Sequence, residues 1–147
     1  MIELAAASAD ELAVKLAQVE AVIQHSIILQ QTGFTQDPKL AATLWQARKG
    51  VLPTIAGQRP IGSSVLIEDV AVEIKLLPAL IADLRAMFER YGYANAAIFG
   101  HVLAGNIHFV LTPNFTIAAE LQAYDQFMHE FTTLVAEPKW IVSRYDG

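Results

Sequence analysis

The sequence contains no cysteine. That excludes disulfides, thiolate metal sites, iron–sulfur ligation and cysteine nucleophiles within these 147 residues. It fits a cytoplasmic setting without requiring one, because extracellular domains can also lack the residue. Charge is scarce too: Asp, Glu, Lys and Arg together make up 17%, and the formal net charge is −5. No Lys/Arg cluster stands out, so electrostatic binding to nucleic acid or anionic lipid is disfavoured. Charged residues interrupt the apolar runs well before the ~20 positions that span a bilayer, so no transmembrane segment is expected. The N-terminus lacks a basic region followed by an apolar one and does not read as a signal peptide.

What the chain has in abundance is apolar residues, at 54%, with a mean hydropathy of +0.36. Such a chain can bury a substantial core and is not expected to be disordered. Its length suits a single domain spanning 1–147. The hydropathy exceeds what a free-standing domain needs, and surface normally covered by other parts of a protein would explain it.

Periodicity orders the elements. Residues 1–6 read as a short strand. Ser8 to Glu11 has capping-box spacing, and Leu12, Leu16, Val19 and Ile23 form the stripe of the helix that follows. Residues 26–32 read as a second strand. Asp37-Pro38 starts a helix with the stripe Leu40, Leu44, Ala47 and Val51, ended or kinked at Pro53. Residues 54–63 read as a loop and Ser64 to Val72 as a strand. The clearest helix carries Leu77, Leu80, Ile81, Leu84, Phe88 and Tyr91 on one face, with Gly92 at its C-terminal cap. Strands over about 95–102 and 106–112 follow, then a helix with Ile117, Leu121, Tyr124, Met128, Phe131 and Val135 on one face. Pro138 ends it, and Trp140 to Tyr145 could form one more strand. The succession predicts an α+β fold: an antiparallel sheet with helices packed on one face, a ferredoxin-like sandwich.

The segment with chemistry in it is Phe99 to Phe109. A two-residue turn at Ala104-Gly105 would pair His101 with His108 and Leu103 with Asn106. Ala97, Phe99, His101, Asn106, His108 and Val110 would then share one face, opposite a continuously apolar face. Directly opposed residues stand ~5 Å apart at Cβ, close enough for both imidazoles to reach one divalent cation. The plainer alternative is two hydrogen-bonded or half-exposed histidines. Two ligands also leave a metal site incomplete, so a third, expected to be a carboxylate, would have to come from elsewhere. Glu68 and Asp69 are adjacent on a strand and point to opposite faces, so they cannot act as an acid/base pair.

Gly100-His101-x-x-x-Gly105-Asn106-x-His108 resembles the Gly-His-x-x-Asp-Gly-Asn-x-His signature of the C-terminal domain of FAD-linked oxidases. That family includes D-lactate, glycolate and D-2-hydroxyglutarate dehydrogenases. Leu44-Trp45-Gln-Ala-Arg48-Lys49 and Ile67-Glu68-Asp69-Val70-Ala71 are similar to two further family stretches. In family order, these cover roughly residues 30–147, and the nearest subgroup is the large bacterial type that joins FAD and iron–sulfur modules in one chain. Val142 to Gly147 resembles the stretch before the family's Ser-x-x-Ala-Glu-His-Gly motif, which this sequence does not contain.

The resemblance implies a substrate-side fragment of a longer flavoenzyme that oxidises a D-2-hydroxyacid. The FAD-binding domain and the Ala-Glu-His-Gly segment would lie outside it, and the fragment would be inactive alone. It implies His101 and His108 as ligands of Zn or Mn, and Arg48 and Asn106 as substrate contacts. FAD would be held mainly by the absent domain. The parent is expected in the cytoplasm, with a peripheral place at the inner membrane as a variant. From the residues themselves, Arg48 is equally a solvated side chain whose stem covers Trp45, and Asn106 reads first as the end of a tight turn, with a contact to a metal ligand or to substrate as the sharper alternative. Three departures from the family put the substrate in doubt. Ala104 replaces an acidic residue, Val110 stands where the 2-hydroxyglutarate branch carries Asn, and Ile67 falls near that branch's substrate lysine. The competing functions are a non-catalytic ferredoxin-like small-molecule-binding domain and an oligomerisation module; a homodimer of the fragment is one open outcome.

Overall fold

A computed structural model describes residues 1–26, 33–137 and 140. The chain forms two compact units, Met1–Ala47 and Arg48–Gly147.

The first unit holds α1 (Ala9–Gln24) and most of α2 (Pro38–Lys49). The predicted cap forms: Ser8 Oγ accepts from the Glu11 N–H, and the Glu11 carboxylate reaches back past the cap residue to the Ala7 N–H at 3.0 Å, a variant of the capping box. Together with the Lys15 ammonium, that bond holds the Glu11 carboxyl below its ordinary pKa, the lysine having the larger effect. Leu12, Leu16, Val19 and Ile23 are half-buried rather than buried. The expected strand over residues 1–6 is absent; those residues carry no ladder. The expected strand over 26–32 lies, but for Ser26, outside the described residues.

On α2 the expected stripe is displaced. Leu40 and Leu44 remain about half exposed (46% and 45%), whereas Ala41 and Trp45 turn inward. The indole is the larger apolar body, so covering part of it removes more apolar surface from water than covering a leucine does. The first unit also encloses a cleft of about 600 Å³ lined mainly by apolar residues, among them Ile2, Leu12, Leu16, Phe34 and Trp45.

The second unit begins with α3 (Val51–Gln58), which replaces much of the expected loop. The helical path breaks at Gly50, not Pro53. Pro53 sits in the first turn of α3, where its missing N–H would have had no intrahelical partner. Then come β1 (Leu66–Ala71), α4 (Leu77–Arg90), β2 (Ala97–His101), β3 (Asn106–Leu111) and α5 (Ala118–Val135). The sheet order is β1-β3-β2, with β3 antiparallel to both neighbours. This β-α-β-β-α succession, with the third strand between the first two, is an α+β fold of ferredoxin-like kind. The strand expected over 140–145 lies, but for Trp140, outside the described residues.

One face of the sheet packs on α4 and α5. Phe109 and Ile107 from β3 meet Leu80, Leu84, Met87 and Phe88 from α4 and Phe127 and Phe131 from α5. The Phe109 ring lies 5.7, 5.8 and 5.0 Å from those of Phe88, Phe127 and Phe131. Burying each of these rings contributes about 1.5–3 kcal/mol. The α4 stripe buries largely as the periodicity predicts, with Met87 added. Gly92 (φ +77°) closes α4 with two reverse bonds, Tyr93 N–H to Phe88 O and Gly92 N–H to Glu89 O. On α5 the core face is centred on Phe127 and Phe131, while Ile117 and Leu121 remain about half exposed. Glu68 also faces the helices, where it accepts a bond from the Tyr124 hydroxyl at 3.2 Å.

A candidate metal and substrate face on the sheet

The opposite face of the sheet carries three cross-strand rows. Ala71, Asn106 and His101 form the first, Asp69, His108 and Phe99 the second, and Ile67, Val110 and Ala97 the third. The two histidines therefore share a face, as expected, but are not directly opposed. His101 pairs with Asn106, and His108 pairs with Phe99. The register differs by two residues because the turn is longer than two residues. A 3₁₀ turn over Val102–Ala104 precedes Gly105, which adopts a left-handed conformation (φ +65°). A shift of two preserves the face and changes the neighbours. The result is a diagonal pair with ring centres 5.9 Å apart and planes at 89°.

Two glycines hold this hairpin against its neighbours. A Cβ on Gly105 would lie 1.9 Å from the Val72 carbonyl oxygen, and one on Gly100 would lie 2.6 Å from Ile107 Cα. Gly105 also accepts the Val72 N–H at 2.9 Å, which ties the turn to the end of β1. The glycines of the signature thus reflect backbone contacts that a side chain would block.

Asp69 is the residue that sequence reasoning left without a role. Its carboxylate accepts from Asn106 Nδ2, and the same oxygen, Oδ1, lies 3.5 Å from His108 Nδ1. The Phe99 ring stands 5.5 Å from that of His108 and covers part of it, leaving the histidine side chain 24% exposed. The signal was present in strand parity: with Glu68 turned to the helices, Asp69 must point to the histidines' side. Among the described residues no three His, Cys, Asp or Glu side chains are grouped to hold a metal ion. His101 and His108 bring two imidazoles to this face, their ring centres 5.9 Å apart. Two such donors fall short of the three protein ligands of a catalytic zinc site. Arg48 stands in the last turn of α2 and is exposed.

A family model described as "FAD linked oxidases, C-terminal domain" matches residues 1–143. The chain belongs to that family. The match takes in α1 and all but the last four of the roughly 30–147 covered by the sequence resemblance. Among curated proteins, a D-2-hydroxyglutarate dehydrogenase of Xanthomonas citri pv. viticola is 33% identical over 116 residues, covering 77% of this chain and 22% of the relative. A D-2-hydroxyglutarate dehydrogenase of Pseudomonas putida is 34% identical over 107 residues, 67% of this chain and 10% of the relative. The chain thus spans only a fifth to a tenth of the length of these relatives. Among the described residues no helix is long and apolar enough to cross a membrane.

Proposed function

We propose that this chain is the substrate- and metal-binding part of an FAD-dependent dehydrogenase that oxidises a D-2-hydroxyacid to the 2-oxoacid. The observation that carries the reading is the convergence of His101, His108 and Asn106 on one sheet face, in a chain whose family is FAD-linked. FAD would accept the hydride, and a divalent metal, Zn or Mn, would polarise the substrate hydroxyl and carboxylate. The chain's own residues bind and orient. The two imidazoles supply neutral nitrogen donors, suited to either metal. Asn106 offers its amide oxygen as an acceptor to the substrate, and Arg48 a fork that matches a carboxylate. The 147 residues carry no catalytic acid or base in this reading and are inactive alone. An FAD-binding domain and the remaining metal ligand belong to further parts of the protein, in keeping with the small share of each relative that is matched.

The row beside the histidines is apolar. Ile67, Val110 and Ala97 offer no cation to a second carboxylate, and Val110 is buried. The proposed substrate is accordingly a 2-hydroxyacid with an uncharged side chain rather than a dicarboxylate.

The test uses a chain extended on both sides until it binds FAD. It is expected to reduce a dye with a D-2-hydroxyacid and to hold a divalent metal by elemental analysis. His101→Ala and His108→Ala should each lower metal content and turnover at least tenfold. Full metal content and activity in the double variant would refute the proposal.

A further inference from the structure

We propose that Asp69 is a positioning residue that selects which nitrogen His108 presents to the site. Its use in catalysis rests on the function proposed above, but its physical basis is independent of it. Asp69 and His108 are direct cross-strand partners, and Asn106 is the next residue on the same face of β3. One oxygen, Asp69 Oδ1, stands beside both neighbours: Asn106 Nδ2 donates to it, and His108 Nδ1 lies 3.5 Å away. An ionised carboxylate accepts hydrogen bonds and donates none. The proton of a neutral His108 is therefore favoured on Nδ1, facing Asp69, and the lone pair is left on Nε2. The other rings close to His108 do not oppose this choice. Phe99 has no polar atom, and the His101 ring centre stands 5.9 Å away.

The same oxygen orients the amide. With Nδ2 committed to a carboxylate, the Asn106 Oδ1 is directed away from Asp69 and remains available as an acceptor. A single side chain on β1 thus sets two groups on β3. Metal-bound histidines commonly donate their second nitrogen to a carboxylate, which fixes the tautomer and raises ligand basicity. The contact at 3.5 Å is longer than a good hydrogen bond, and the Asp69 side chain is 62% exposed. The expected effect is thus a bias between tautomers rather than a complete lock.

The test is the tautomer itself, read from long-range proton–nitrogen correlation spectra of the metal-free 147-residue chain with His108 neutral. The wild-type majority form is expected to carry its proton on Nδ1, and Asp69→Ala should move the majority to Nε2. If Asp69→Ala fails to fold, Asp69→Asn, which keeps the shape and loses the charge, should show a smaller Nδ1–H fraction than wild type. A wild-type majority on Nε2, or a fraction unchanged in the folded variant, would overturn the proposal. No metal, flavin or substrate enters the measurement. Absent metal binding in the extended protein would sink the proposed function and leave this result standing, and the reverse holds as well.

Discussion

Replacing Gly105 by alanine tests the account of the hairpin most directly. The residue has φ +65°, and a left-handed conformation costs a residue with a Cβ about 1–2 kcal/mol. The new methyl would also sit 1.9 Å from the Val72 carbonyl oxygen, which is backbone and has no flexible end to swing aside. Relief requires the turn to move off β1 and to give up the bond from Val72 N–H to Gly105 O. Losing a bond whose donor belongs to a buried residue adds about 1–3 kcal/mol. The expected total is about 2–5 kcal/mol, a large share of a domain's stability of roughly 5–15 kcal/mol. Gly92→Ala is the control. It shares the left-handed backbone (φ +77°) and meets nothing within 4 Å, so it should cost only the conformational part, about 1–2 kcal/mol. Urea unfolding is followed by the fluorescence of the buried Trp140, with Trp45→Phe as the background so that the second unit reports alone. Equal midpoints for the two variants would refute the claim that Gly105 is required by close approach as well as by its backbone angle.

Gly57→Ala, inside α3 with open space around it, should raise stability by about 0.5–1 kcal/mol in the same assay. Phe127→Ala removes the ring that meets Phe88, Tyr91, Tyr93 and Phe109, and should cost about 3–5 kcal/mol by urea midpoint. Burial, followed by the Glu68 carboxylate, pushes the Tyr124 phenol above its ordinary pKa, and burial does the same for Tyr93. A folded pKa above the unfolded value of about 10 means the associated stability is whole below that pH and is lost as pH rises through the folded pKa. Tyr124→Phe should therefore flatten the alkaline limb of the stability profile, and a limb identical to wild type would show that the phenol is not its source.

The parts of the fold legible in the sequence were those where one signal acted without a rival. The α4 stripe from Leu77 to Phe88 ends at a glycine whose positive φ the cap requires, and periodicity alone located it. On α2 two stripes competed, and counting leucines favoured Leu40 and Leu44 over the single indole of Trp45 that turned inward. In α3, Pro53 and Gly57 read as loop residues, although a proline in a first turn loses no bond. At the candidate site the shared face of His101, Asn106 and His108 was legible, because strand alternation survives an even shift of register. The pairing itself was not, since it depended on a 3₁₀ turn where a two-residue turn is the commoner choice. Asp69 was missed because its partners come from a strand 37 residues further on.

The turn between β2 and β3 works as a dial with discrete settings. Its length decides which residues stand beside each other across the two strands, and odd and even changes are not equivalent. One added residue between Val102 and Ala104 would force a choice between rotating the His101 half of the hairpin to the helix side and accommodating a bulge. Two added residues would keep every side chain on its present side while sliding one strand past the other. Natural variation in this connection is therefore expected to come in pairs, and the spacing of the two imidazoles could be retuned without touching either one.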